Sequence, residues 1–190
     1  MLQRLATLTA LLLLASSFAF AQAPPNLPGY QVQAFVGYMG IVGQNSGNGL
    51  FTSFAVPVKT LNQKWSMTLA LRADNFAFTS PSENSLLGGV EQRFQTSSAT
   101  FLDGMVIQPF VNEMFGETRA TCVATSNCAA GVSTKSDFTS KIGGGIDIVT
   151  TQHTTWRILE FDHLWSRAFP GGGLTVSNAN QLITAFGFHF

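Results

Sequence analysis

The chain has 190 residues and a formal net charge of zero, and only 11% of its residues are charged although Phe occurs 17 times. Soluble domains carry roughly 25% charged residues, so this sequence has too few charges to coat an ordinary soluble sphere. The even balance gives no reason to expect nucleic acid as a partner.

Met1 to Ala21 reads as a signal peptide, with Arg4 as the positive start, an apolar stretch from Leu5 to Ala15 and the small-residue motif Ala19-Phe20-Ala21 before Gln22. A helical membrane span needs about 20 apolar residues, and the sequence has no such run after Ala21. Export therefore leaves 169 residues, enough for one domain. Residues 22–28 form a Pro-rich lead-in, and residues 29–190 are read as the folded domain. Cys122 and Cys128 are the only cysteines. In an exported chain they predict one disulfide closing a short loop. With no nearby His they do not make a metal site, and no cofactor is expected.

From Gly29 onward the chain breaks into strand-like runs with polar or Gly-rich punctuation. The first, Gly29 to Gly43, sets Tyr30, Val32, Ala34, Val36 and Tyr38 against Gln31, Gln33 and Gly37. The second, Leu50 to Thr60, sets Leu50, Phe54, Val56 and Val58 against Ser53, Ala55 and Lys59. In the third, Lys64 to Asp74, Trp65, Met67, Leu69 and Leu71 alternate with Ser66, Thr68, Ala70 and Arg72. Period two is a sheet pattern and not a helical one.

The fourth run, Ser85 to Phe94, carries Glu91 and Arg93 on its mixed face. The fifth, Leu102 to Gly116, holds Pro109, which predicts a bulge or strand end because Pro cannot donate to a ladder. The sixth, Asp137 to Thr150, holds Lys141, Asp147 and the run Gly143-Gly144-Gly145, which predicts bending or close approach of a neighbour. The seventh, Thr154 to Arg167, alternates until its phase slips at Ile158 and Leu159, where a bulge is predicted. The eighth ends on Leu182, Thr184, Phe186, Phe188 and Phe190, with Gln181, Ala185, Gly187 and His189 opposite.

The connections 44–49, 75–83, 117–136 and 168–178 are read as one class and the shorter 61–64, 95–100 and 151–153 as the other. Short periplasmic turns, longer external loops and an even strand number characterise outer-membrane barrels. Closure also removes the edges that hydrocarbon would not tolerate. The fold class predicted is thus all-β, an eight-stranded antiparallel up-and-down transmembrane barrel. Trp65, Met67, Leu69, Leu71 and Leu182 would face lipid. Arg72, Asp74, Glu91, Arg93, Lys141, Asp147, Glu160 and Asp162 would fill the lumen as a paired network, because eight strands leave room for side chains and not for a water channel.

The segments Ile107-Gln108-Pro109-Phe110-Val111, Gly143-Gly144-Gly145-Ile146-Asp147, Trp156-Arg157-Ile158-Leu159-Glu160-Phe161-Asp162 and Phe186-Gly187-Phe188-His189-Phe190 resemble the small outer-membrane β-barrel family, which includes the transmembrane domain of outer membrane protein A. The resemblance covers nearly all of the exported chain. It implies the outer membrane of a Gram-negative-type bacterium as location and the barrel-insertion machinery as a partner that reads Phe190, with Phe186 and Phe188 in support. It does not extend to a C-terminal peptidoglycan-binding domain.

Catalysis needs a nucleophile, a base and an orienting group in mutual reach. His153, His163 and His189 are the only histidines, and His163 lies three residues from Ser166, which sends the pair to opposite faces of a strand. A non-enzymatic barrel is therefore expected, structural or binding a surface ligand through loops 117–136 and 168–178, with outer-membrane lipid around it. Two other readings share the strands. One is a secreted lipocalin-like barrel carrying a small apolar ligand, and the other is a narrow transient pore.

Overall fold

Among the described residues of the computed structural model, nine extended segments follow one another: β1 (Gln33–Val42), β2 (Gly47–Asn62), β3 (Trp65–Ala77), β4 (Ser82–Phe94), β5 (Thr100–Phe101), β6 (Met105–Cys122), β7 (Ser133–Val149), β8 (Thr154–Ser166) and β9 (Asn178–His189). The structure describes residues 32–42, 47–62, 65–77, 82–94, 100–101, 105–122, 133–150, 153–166 and 178–190. The signal peptide, the lead-in and Cys128 lie outside these residues, as does most of the 168–178 connection.

Eight of the segments make the wall. Each long strand pairs antiparallel with its neighbour in the chain, β4 pairs directly with β6, and β1 pairs with β9 from Gln33↔His189 to Val42↔Asn180. The ring is closed, so every wall strand has two partners and no edge remains. The two-residue β5 pairs only with the start of β6. The wall strands run from 10 to 18 residues, and about 9–11 tilted residues cross a bilayer.

The strands extend further than their sequence pattern suggested at the rim opposite the termini. Glu117–Cys122 and Ser133–Ser136, read as loop, are paired strand in β6 and β7, as Thr121↔Thr134 and Arg119↔Ser136 show. The connection there shrinks to residues 123–132. At the termini-side rim, residues 95–104 separate the wall strands β4 and β6, where a short turn was expected. Loop length is thus sorted less cleanly than the sequence implied.

Local irregularities have local causes. The phase slip at Ile158 and Leu159 is a bulge, with the β8–β9 register shifting between Arg157 and Glu160; both side chains turn outward. A second shift between Pro57 and Lys59 explains why Lys59, set with the inward row by simple alternation, is exposed. Pro109 interrupts nothing. It sits mid-strand opposite Ile146 on β7, but on the other flank the β4 pairing begins only at Phe110 and the β5 pairing covers only Met105 and Val106, so one side of the strand makes no demand for a donor there.

Candidate functional site

Alternation sorts the wall into two surfaces of opposite character. Outward stand Val36, Leu50, Leu69, Leu71, Leu86, Val111, Phe115, Phe138, Ile142, Ile146, Phe161, Leu182, Phe186 and Phe188, all of them exposed. Trp65 and Met67 share that outer face at intermediate exposure. Inward stand Arg72, Asp74, Glu91, Arg93, Lys141, Asp147, Arg157, Glu160 and Asp162, each at most 2% exposed. A soluble protein has the reverse distribution.

The inward charges form one branched chain of alternating sign. At its upper end Lys141 Nζ donates to Asp74 Oδ2 at 2.6 Å and lies 3.5 Å from Asp162 Oδ2. Arg72 takes both of those acids, donating from Nε to Asp74 Oδ1 at 2.6 Å and from Nη1 to Asp162 Oδ2 at 3.2 Å. Glu160 is the link between the halves: its Oε1 accepts from Arg72 Nη1 at 2.7 Å, and its Oε2 from Arg157 Nη1 at 2.8 Å. Arg157 then reaches Asp147 Oδ1 at 2.9 Å and Glu91 Oε2 at 3.2 Å. Arg93 completes the lower end by donating to Asp147 Oδ2 at 2.9 Å and pairing with Glu91.

The eight charged residues singled out from the sequence for the lumen are all in this cluster. Arg157 and Asn112 also belong to it. Asn112 Nδ2 donates to Glu160 Oε1 at 2.7 Å, which gives that oxygen a second donor. Buried charges are tolerated only when paired and hydrogen-bonded, and five strands contribute to meeting that condition.

Part of the lumen beside the ions is apolar, which the sequence reading did not anticipate. Phe35, Met39, Ile41, Phe51, Phe76, Leu164 and Ile183 form a buried cluster beside the ions. Its boundary is aromatic. The Arg157 guanidinium carbon lies 3.9 Å from the Phe110 ring centre and 4.4 Å from that of Phe35, and Arg72 lies 4.4 Å from that of Phe51. Within about 6 Å such contacts are attractive, more so when desolvated. The sequence did carry a signal for Phe35, since Ala34 and Val36 already define the outer row.

Glycine makes this filling fit. A Cβ on Gly187 would stand 2.6 Å from Cδ1 of Phe35, and one on Gly145 would stand 2.9 Å from Cζ of Phe110. Nearer the far rim four hydroxyls on adjacent strands join in a row: Ser85 and Thr118 lie 2.7 Å apart, and Thr139 donates to Thr118 at 2.7 Å, with Ser166 3.0 Å from it. Ser166 is thus turned inward. His163 is turned outward, 2.7 Å from Asn180 Oδ1 through Nδ1, so the two share no face. His189 is buried against Thr155. No cluster of three His, Cys, Asp or Glu side chains suited to a metal occurs among the described residues.

Solved structures of the same shape exist. Neisserial surface protein A superposes with a TM-score of 0.55 at 11% identity, covering 85% of this chain and 97% of that one. The N-terminal β-barrel domain of Pseudomonas aeruginosa OprF gives 0.52 at 14% identity, covering 85% and 99%. The fold is that of the small outer-membrane β-barrels. No protein-family model and no curated protein matches the chain. The likeness to these structures is one of shape, at 11% and 14% identity.

Proposed function

We propose that this protein is an integral outer-membrane β-barrel of a Gram-negative-type bacterium, with a closed lumen, a structural or surface-binding role and no catalytic activity. The observation that carries the reading is the inverted polarity of the wall. Leu69, Leu86, Ile142 and Phe161 are 53%, 58%, 50% and 48% exposed while Arg72, Lys141, Glu160 and Asp162 are at most 1% exposed. In water such an exterior would be an aggregation surface; against acyl chains it is the required one.

A lipocalin-like carrier needs an apolar cavity in the middle of the barrel. The ion network and the Phe cluster fill that place here. A conducting path is disfavoured for the same reason, since four cationic side chains at 0–1% side-chain exposure lock strands across the axis. Recognition then belongs to the far-rim connections, 123–132 and 167–177, which are the surfaces left free to vary. Outward-facing Phe186, Phe188 and Phe190 on the last strand suit recognition by the insertion machinery, and Cys122 with Cys128 would tie the longest hairpin of the far rim.

Fractionation tests the reading. The exported protein is expected in the outer-membrane fraction, with unboiled and boiled samples migrating differently on a gel. A chain that extracts into detergent-free buffer would refute it.

A further inference from the structure

Glu113 stands on the oily side of the wall. It is exposed at the middle of β6, its cross-strand neighbours are Val90 and Ile142, and Val111 and Phe115 flank it on its own strand at 46% and 45% exposure. Among the described residues no hydrogen bond or ion pair reaches its carboxylate. Ionisable groups facing lipid are rare and mark function.

Two further observations lie on the same face. In the same transverse row Glu113 is opposite Ile142, and Ile142 is opposite His163 on β8. Two strand spacings put the acid and the imidazole about 10 Å apart, with Ile142 between them. On that face His163 leans toward β9 and away from Glu113, its Nδ1 on Asn180 and its ring edge-on to Trp165 at 4.4 Å, which leaves Nε2 as the other ring nitrogen. Gly88, beside this row on β4, also faces outward, and a Cβ there would meet nothing nearer than 4.0 Å. Glycine weakens a strand, and the packing of the barrel itself does not require one at that position.

We infer that this face joins two copies of the chain about a two-fold axis beside Ile142, with Glu113 of each copy bonded to His163 of the other; the inference rests on the membrane reading above. A two-fold contact is self-complementary, so residue i meets j and j meets i. An acid and a base placed symmetrically about one isoleucine satisfy that condition without any third group. Strand tilt lifts His163 about 6 Å toward the far rim relative to Glu113, and the summed reach of the two side chains spans that offset. The missing side chain at Gly88 lets the second wall approach, as small residues do between membrane segments.

The test is oxidative crosslinking of Ile142→Cys in lipid vesicles, with Val56→Cys on the opposite wall as control. A dimer-sized band is expected from Ile142→Cys and not from Val56→Cys. It should fall about fivefold with Glu113→Ala or His163→Ala, the scale of one polar contact inside a membrane, and return in the exchange Glu113→His with His163→Glu. No band from Ile142→Cys, equal bands from both positions, or a band indifferent to Glu113→Ala would overturn the inference. Heat-modifiability run on the same samples separates the two claims. A folded, lipid-bound barrel without the crosslink counts against the dimer alone, whereas a chain left in the aqueous phase counts against the membrane reading and the dimer together.

Discussion

Arg157 is the side chain on which most of the lumen converges, and Arg157→Ala is the substitution with the largest expected effect. Its guanidinium serves Asp147 through Nε at 2.9 Å and Nη2 at 3.1 Å, Glu160 at 2.8 Å and Glu91 at 3.2 Å. It also lies between the rings of Phe110 and Phe35. Removing one partner from a buried pair costs about 3–5 kcal/mol because the other charge is left uncompensated. Arg93 still serves Asp147 and Glu91, and Arg72 still serves Glu160, which keeps the charge loss near the lower end of that range. The lost ring contacts add about 2 kcal/mol, so a total of about 5 kcal/mol is expected. Arg157→Lys keeps the charge but loses the fork and the stacking, and should fall between. Urea unfolding in lipid vesicles, read by the loss of heat-modifiable migration, measures both, with the exposed rim substitution Arg119→Ala as a control expected within about 0.5 kcal/mol. An Arg157→Ala barrel within about 1 kcal/mol of the parent would refute the claim that the network is a single mutually dependent unit.

Gly187→Ala should cost about 1–3 kcal/mol in the same unfolding experiment, because the new Cβ meets the Phe35 ring in a filled lumen. Leu69→Arg, on the outer face, should destabilise the protein by about 2–4 kcal/mol in vesicles if that face meets acyl chains; an unchanged urea midpoint would show that water reaches it. Cys122→Ser should leave the barrel folded and lower stability by less than about 3 kcal/mol, since a loop this short loses little chain entropy on closure. Mass spectrometry of the parent protein should find Cys122 linked to Cys128.

The wall was legible in the sequence because lipid enforces one row of each strand. Leu69 and Leu71 on β3, and Leu182, Phe186 and Phe188 on β9, can face only one way, so parity places Arg72 and Gln181 inside. The lumen was legible only where it is charged. Phe51 and Phe110 were hidden because an apolar residue on the inner row of a strand that is also apolar outside leaves no alternation to detect, and their role follows from contacts with arginines distant in sequence. Strand ends escaped for another reason. Beyond the apolar belt the outer face turns polar, as at Glu117 and Arg119, so β6 runs on to Cys122 through residues that read as loop. Glu113 was passed over because only the register shows that its neighbours Val90 and Ile142 are apolar.

The native tryptophans offer the most direct test of which side of the wall is wet. Trp65, Trp156 and Trp165 all belong to the outer face, and Trp156 and Trp165 are 51% and 42% exposed. Fluorescence of the folded protein in vesicles of brominated-chain phospholipid should be strongly quenched, and it should resist iodide added to the water. Emission untouched by brominated chains but quenched by iodide would contradict the account.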